Sequence, residues 1–454
     1  MADELLIRVY DVGLGDCIFC RIPGAMRVDG AAADFHMLID CGSWSGGRFL
    51  EAALKDLATL LPDTAGGKKR LDLLVITHEH KDHIAGCDPK LFAPFKIGAI
   101  WMNAAMDPDH PQAKGTQKLH AVALAAMRGL TASGLALSPQ VQDLADMFGI
   151  DNDGAMAALR EGLPKANAIT PRYVEAGKTN ADYGLPLTGA AIHVLGPEAD
   201  IDRFYLGKTA PAAHAFSALS ASGALDAPAP SPPSADAPSA LPANIAAADF
   251  RQLRSRMLSS ALAFAALSSK VTNNSSVVLL VEWRGKRLLF VGDAEWDEPY
   301  KEGKSNGAWN VMWNQRRQQL GGALDFLKIG HHGSENATPW ADGAAGDFPE
   351  STAILDAILP LPAPGAAARA FAVASTERSK YKTIPRTALL AEIGRRVGNG
   401  QNYQDRFQAV GKDVSAIPKY RDFEHQDINA PQPQRTDLER ILTGSSFVDV
   451  ILTA

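Results

Sequence analysis

The chain has 454 residues, 46% of them hydrophobic, and a formal net charge of −6, enough material to bury the core of one large domain with insertions or of two ordinary ones. That charge argues against a protein that grips nucleic acid through a broad basic surface; only a local groove near Arg316 and Arg317 in "NQRRQQ" stays open, beside the blander reading of a solvated helix face. No run of about 18 apolar residues occurs, and the opening "MADELLIRVYDVGLGD" enters a strand-like pattern with no basic region, apolar core or cleavage site, so the expectation is a soluble, cytoplasmic chain with no membrane contact.

Short apolar strands with turn signals fill the first hundred residues: "LLIRVYDVG", "DCIFCRI", "FHMLIDCG", "LDLLVITH" and "KIGAIWMN". Helical patterns follow. "TQKLHAVALAAMRGL" repeats apolar residues at spacings of three and four, and "SPQVQDLADMFG" and "DGAMAALREGL" do the same behind Ser, Pro or Asp starts. Strands resume at "AAIHVLGP", and "SSVVLLVEW" with "KRLLFVGD" predicts a hairpin turned at Arg284 and Gly285. "LDFLKIG" and "AFAVAST" predict further strands, "RTALLAEIGRRVG" a helix, and "FVDVILTA" a closing strand. Between residues 209 and 248 the composition turns to Ala, Pro and Ser, as in "APAPSPPSADAPSALPA". Such a stretch buries too little apolar surface to offset its ordering entropy, which predicts a disordered surface insertion. "LPLPAPGAAARA", from Leu359, is similar in composition.

Four cysteines, Cys17, Cys20, Cys41 and Cys87, make no disulfide framework in so long a chain. Cys17 and Cys20 spell C-x-x-C inside an extended segment, where residues three apart point to opposite faces, so they are expected as small core residues and not as a metal knuckle.

The stretch "THEHKDH", Thr77 to His83, sets three histidines and two acids directly after the apolar run ending in Ile76. In open α/β sheets, the C-terminal edge of the strands is where sites tend to form. If the chain stays extended, His78 and His80 point the same way, and Asp82 and His83 address a neighbouring point from the following turn. Imidazole with carboxylate suits zinc, iron or manganese; a polar loop in which Asp82 merely caps a helix does not call for three histidines. Two later strands also end in ligand-type residues, "LLFVGD" in Asp293 and "LDFLKIGHHGS" in His331 and His332. Gly292 before Asp293 allows close backbone approach. An isolated Gly-Asp would mean only a turn, but together the three strand ends point to one centre.

H-x-H-x-D-H at His78, His80, Asp82 and His83, "VGD" at Asp293 and "GHHGS" at His331 and His332 resemble the metallo-β-lactamase fold superfamily. "DVGLGDCI", "LIDCG" with Asp40, "NNSSVVLL" and "STERSKYKTIP" are similar more narrowly to its ComEC-like, competence-type branch. The resemblance implies an α/β fold of αββα layers, one domain over 1–454 interrupted by a helical insert at 112–164 and the Ala/Pro-rich insertion. It implies two divalent ions, zinc first with manganese or iron as alternatives: one held by His78 and His80, the other by Asp82, His83 and a histidine of the late pair, with Asp293 between them. His331 is favoured as that ligand because it leaves the strand first, with His332 left to orient substrate or shuttle a proton; the reverse assignment stays open. Asp40 would orient a ligand histidine. Many members carry one more metal-binding histidine between the first cluster and the Asp; here His193 lies inside a strand, where packing is the ordinary role. Ile384-Pro385 stands where the branch often has His-Pro, and no membrane channel accompanies the domain.

Such a centre implies a hydrolase in which a divalent ion lowers the pKa of bound water towards about 7 and two ions about 3.5–4 Å apart stabilise attacking and leaving oxygens. Asp82 and His332 would then take part in catalysis, and Asn273, Asn274 and Ser334 are polar residues for substrate contact or ordinary turns. The expected substrate is a phosphodiester, small or single-stranded given the acidic charge. The alternatives are an esterase, lactonase or β-lactam-type hydrolase, and a non-catalytic metal-binding scaffold.

Overall fold

The computed structural model describes residues 4–132, 152–207, 262–340, 348–377, 384–398, 436–437 and 447–454. Strands β1 (Glu4–Tyr10), β2 (Ile18–Val28), β3 (Ala31–Ile39), β4 (Lys69–Ile76), β5 (Phe95–Asn103) and β6 (Arg172–Val174) form one sheet. The C-terminal β13 (Phe447–Thr453) joins its edge, in the order β13-β1-β2-β3-β4-β5-β6. The second sheet holds β7 (Ala190–Gly196), β8 (Val278–Trp283), β9 (Lys286–Phe290), β10 (Phe326–Ile329), β11 (Phe371–Ser375) and β12 (Thr436–Asp437), in the order β12-β11-β10-β9-β8-β7. β3, β4 and β5 run parallel, as do β9, β10 and β11, so each sheet presents several C-terminal strand ends on one edge.

Strand alternation divides the apolar side chains among three cores. Leu73 and Val75 of β4 and Leu279 and Val281 of β8 meet between the sheets. Leu74 and Ile76 face outward to helix α1 (Gly47–Leu60), which buries Leu50, Ala53, Leu54 and Leu57 at the spacing of one helical face. Val278 and Leu280 face the opposite way. They pack in one cluster with Trp309 and Met312 of α2 (Ala308–Leu320), Ile354 and Leu355 of α3 (Pro349–Ile358), and Leu389 and Leu390 of α4 (Thr387–Gly394). The layers are therefore helix, sheet, sheet, helix, as expected.

The hairpin of β8 and β9 turns at Arg284 and Gly285, whose φ angles of 46° and 79° are the left-handed pair that a two-residue connection favours. Cys17 packs on the outer side of the first sheet and Cys20 between the sheets, the opposite-face arrangement that excludes a shared C-x-x-C ligand site. Arg316 is held by Glu198 and Arg317 lies over the Trp313 ring, so neither forms an open basic groove. The described part of the 112–164 insert is helical: Ala113–Ala132, then Asp153–Ala157 continued through Ala158–Gly162 to Leu163–Asn167. The "SPQVQDLADMFG" helix and the 209–248 segment lie outside the described residues. Among the described residues no helix is long and apolar enough to cross a membrane.

Candidate metal centre

The C-terminal strand ends converge at one edge of the sandwich. Asp40 follows β3, Thr77 to His83 follow β4, with Lys81–Ile84 as a single helical turn, Asp293 follows β9, and His331 and His332 follow β10. Glycine permits the close approach at two points. A Cβ on Gly292, at φ 53°, would stand 2.9 Å from Thr77 Cβ, and one on Gly42 would stand 2.1 Å from the His83 nitrogen.

Among the described residues three groups of side chains bring ligand atoms within 4.8 Å of one another: His78, His80 and Asp293; Asp82, His83 and His332; and, behind the second, Asp16, Asp40 and His83. Asp293 lies between the first two, with one carboxylate oxygen 3.2 Å from His83 Nε2 and the other 3.6 Å from His78 Nε2. His78 Nε2 and His80 Nδ1 are 3.0 Å apart.

Hydrogen bonds behind the rings decide which nitrogen faces inward. His83 Nδ1 lies 2.7 Å from Asp40 Oδ2, while the Thr77 backbone N–H and hydroxyl donate to the same carboxylate at 2.8 and 2.7 Å. Burial pushes the Asp40 carboxyl up, yet three converging donors are what a carboxylate satisfies, so Asp40 accepts the Nδ1 proton and Nε2 is the His83 nitrogen that faces Asp293. His78 Nδ1 is 3.1 Å from Thr77 Oγ1 and 3.3 Å from Ser276 Oγ. His332 Nδ1 donates to the Ser375 carbonyl at 2.9 Å, leaving its Nε2 2.9 Å from Asp82 Oδ2. A lone pair facing a carboxylate oxygen at that distance needs a proton or a cation between them.

The donor set fits a divalent cation on three counts. His83 Nε2 is buried and makes no hydrogen bond of good geometry, although Asp293 is beside it. Four buried carboxylates gather here; Asp16 is paired with Lys328, while Asp40, Asp82 and Asp293 face only histidine rings among their described ion-pair partners. Imidazole nitrogens with carboxylate oxygens are also the usual ligands of zinc.

The electrostatics follow from the same contacts. Burial opposes charge on His83, but the Asp293 and Asp40 carboxylates outweigh it and raise the ring well above its ordinary value. Burial would lift Asp82 and Asp293; His332 and His83 hold Asp82 below the usual carboxylate range, and His83, His331 and His78 do so for Asp293. Burial, with the His83 charge, lowers His78, and burial pushes His80 down to about 4.

His331 takes the other position. Both histidines have left-handed backbones, φ 44° and 53°, so the chain folds back at the strand end instead of continuing extended. Leaving the strand first does not bring His331 to Asp82; the turn carries His332 there and leaves His331 26% exposed beside Glu295, Nδ1 to Oε1 3.2 Å. Its Nε2 is 4.0 Å from Asp293. Burial opposes charge there as well, but Asp293 and Glu295 raise His331 to about 9.

The Asn273 and Asn274 amides donate to the two Glu295 oxygens at 2.9 and 3.2 Å, and Asn274 Oδ1 accepts from the Glu295 and Ala308 backbones. Both asparagines therefore support Glu295, and Asn274 also the start of the Ala308–Leu320 helix. Ser334 Oγ donates to Asn336. His193 sits in β7, 3.3 Å from Glu282, and belongs to none of the groups. Sequence reasoning did not find Glu295, Ser276 or Lys328; Glu295, two residues beyond Asp293 in "VGDAEW", carried the only usable signal, an acid near the strand end.

The layers and the His/Asp groups define a protein of metallo-hydrolase architecture. Residues 28–149, which span β3 to β5 and the first histidine cluster, match the family description "Metallo-beta-lactamase superfamily", so the chain carries a domain of that superfamily, whose members are mostly metal-dependent hydrolases. No curated protein matches the chain.

Proposed function

We propose that the chain is a metal-dependent phosphodiester hydrolase of the competence-type branch, acting on a nucleotide or a short single strand. The observation that carries this is Asp293 between two ligand groups, 3.2 Å from His83 and 3.6 Å from His78. His78, His80 and Asp293 would hold one divalent ion, and Asp82, His83 and His332 with Asp293 the other, which exchanges the roles first given to His331 and His332. When bound, such a pair supplies Lewis acidity on both sides of a phosphoryl group and lowers the pKa of water, chemistry suited to in-line displacement.

The protein's own groups do the rest. Asp40 and Thr77 hold the His83 and His78 rings with Nε2 inward, so neither ring reorganises when a ligand arrives. His331, partly exposed and 3.2 Å from Glu295 at Nδ1, can deliver a proton from Nε2 to a leaving oxygen; Asn273 and Asn274 fix Glu295 for that purpose. The net charge of −6 favours a small or single-stranded substrate over a duplex. The described helices of the insert and the 209–248 segment are read as additions to one domain.

The test is turnover of bis(p-nitrophenyl) phosphate by zinc- or manganese-loaded protein, beside Asp82→Ala. Turnover that disappears in the variant is expected. Activity on carboxyl esters or nitrocefin alone would replace the phosphodiester reading, and a metal-loaded protein without any turnover would end the hydrolase reading.

A further inference from the structure

Along β10 the side chains alternate: Phe326 packs between the sheets, and Leu327 and Ile329 pack outward. Lys328 shares the inner face with Phe326 and is buried, at 2% side-chain exposure. Its ammonium reaches both oxygens of the equally buried Asp16, at 2.8 and 3.1 Å, and donates to the Ile329 carbonyl at 3.0 Å. The two residues belong to different sheets. Asp16 precedes β2, and its backbone is tied to the first histidine turn: the Asp16 N–H donates to the Asp82 carbonyl at 2.9 Å, the Gly42 N–H to the Asp16 carbonyl at 2.9 Å, and the Cys41 N–H to the His83 carbonyl at 2.8 Å. Lys328 lies a few residues before His331 and His332 on the opposite sheet. Asp16, Asp40 and His83 also bring ligand atoms within 4.8 Å of one another, so the lysine ends directly beneath the second ligand group.

We propose that Asp16 and Lys328 are positioning residues, a buried strut between the sheets that sets the distance from the Asp82–His83 turn to His332 and Asp293. The idea rests on the metal-centre reading for its purpose but not for its geometry. A buried ion pair is weak evidence for stability, since apolar replacement of both partners is often neutral while loss of one is costly. Charge neutralisation alone and a geometric strut therefore predict different results for the double replacement.

The experiment compares wild type, Lys328→Met, Asp16→Asn and the double variant in three measurements: urea unfolding of the metal-free protein, zinc affinity by competition with a chromophoric chelator, and the His83 and His332 ring 15N signals of the metal-free protein. Each single variant should lose at least about a hundredfold in the folding equilibrium, because it leaves a buried charge unpaired. The double variant should regain most of that loss, yet bind its weaker zinc ion at least about tenfold less tightly and show displaced ring signals. A double variant with wild-type zinc affinity and unmoved ring signals would overturn the strut, as would a Lys328→Met protein unchanged in all three measurements. If wild type itself binds no zinc, the metal reading fails alone, and the ring signals still decide the strut.

Discussion

Asp40 offers a sharp test because its neighbours assign a separate job to each of its oxygens. Oδ1 accepts from the Thr77 backbone N–H at 2.8 Å, and Oδ2 accepts from Thr77 Oγ1 and His83 Nδ1 at 2.7 Å each. Its backbone is left-handed, φ 56°, a conformation that Asn tolerates and Ala does not. Asp40→Asn therefore keeps the backbone and the Oδ1 acceptor of the Thr77 N–H while the Thr77 hydroxyl loses its Oδ2 partner, and should cost the fold about 1–2 kcal/mol. Towards His83, however, the amide presents N–H to N–H. The ring answers by moving its proton to Nε2, the atom that faces Asp293, and the inward lone pair is lost. Asp40→Ala does the reverse. It strands the Thr77 N–H, at about 1–3 kcal/mol, and adds roughly 1–2 kcal/mol for a left-handed alanine, but water can take the Nδ1 proton and the tautomer survives. Changing a group that orients a metal ligand typically costs about 10–100-fold in affinity, or about 1.4–2.7 kcal/mol at 1.36 kcal/mol per decade. Asn should sit near the upper end of that range and Ala near the lower. Zinc affinity by chelator competition should fall in the order wild type, Ala, Asn, while urea stability of the metal-free proteins should fall in the order wild type, Asn, Ala. The same order in both assays, or an Asn variant within threefold of wild-type zinc affinity, would refute the argument.

The ligand types were legible because metal ligands are polar residues forced to the end of buried strands, and a cluster such as "THEHKDH" after "LDLLVI" violates the usual pattern. The strand segments, the Arg284–Gly285 turn and the opposite faces of Cys17 and Cys20 follow from apolar patterning, period-two alternation and turn chemistry alone. Three features did not show. The fold-back at His331 and His332 is two consecutive left-handed residues, a conformation that histidine visits too seldom for the sequence to signal it twice in a row, so chain order alone left open which of the pair stands beside Asp82. Lys328 in "LDFLKIG" reads as the solvent side of an alternating strand; its partner lies 312 positions away, beyond any periodicity. Helix α1 did not show although "FLEAALKDLATL" has helical spacing, because its start carries no side-chain cap and no acidic residue in the first turn. Interactions within a strand or turn are written locally, whereas the partner of a buried charge is decided by which sheet edges meet.

The exchange of roles in the late pair can be tested by content against rate: His332→Ala should lose about one ion per chain by elemental mass spectrometry. His331→Ala should keep its ions and lose about 10²–10⁴ in kcat, with a smaller deficit on p-nitrophenyl esters, whose leaving group needs little protonation. Equal metal loss in both variants would refute the division. The metal-free protein should also show a stability maximum near neutral pH. His83 and His331 have raised folded values, about 9 for His331, so their contribution is complete below the ordinary value of about 6.5 and is lost as pH rises through the folded values. His78 and His80 are lowered by burial, His80 to about 4. The unfolded chain takes up their protons first, and stability falls as pH drops below about 6.5. Asp82 and Asp293, held below their ordinary range, add to that acid-side loss below about pH 4. Zinc should steepen the acid side, where protons displace it from its ligands, and remove the alkaline decline: a cation on His83 Nε2 would replace the proton that holds it there, so the loaded protein should keep its urea midpoint from about pH 7 to 9 while the metal-free protein declines. A metal-free midpoint that rises over that interval would mean that Asp293 and Asp40 do not hold a proton on His83, and that the inward lone pair is already bare before any ion arrives.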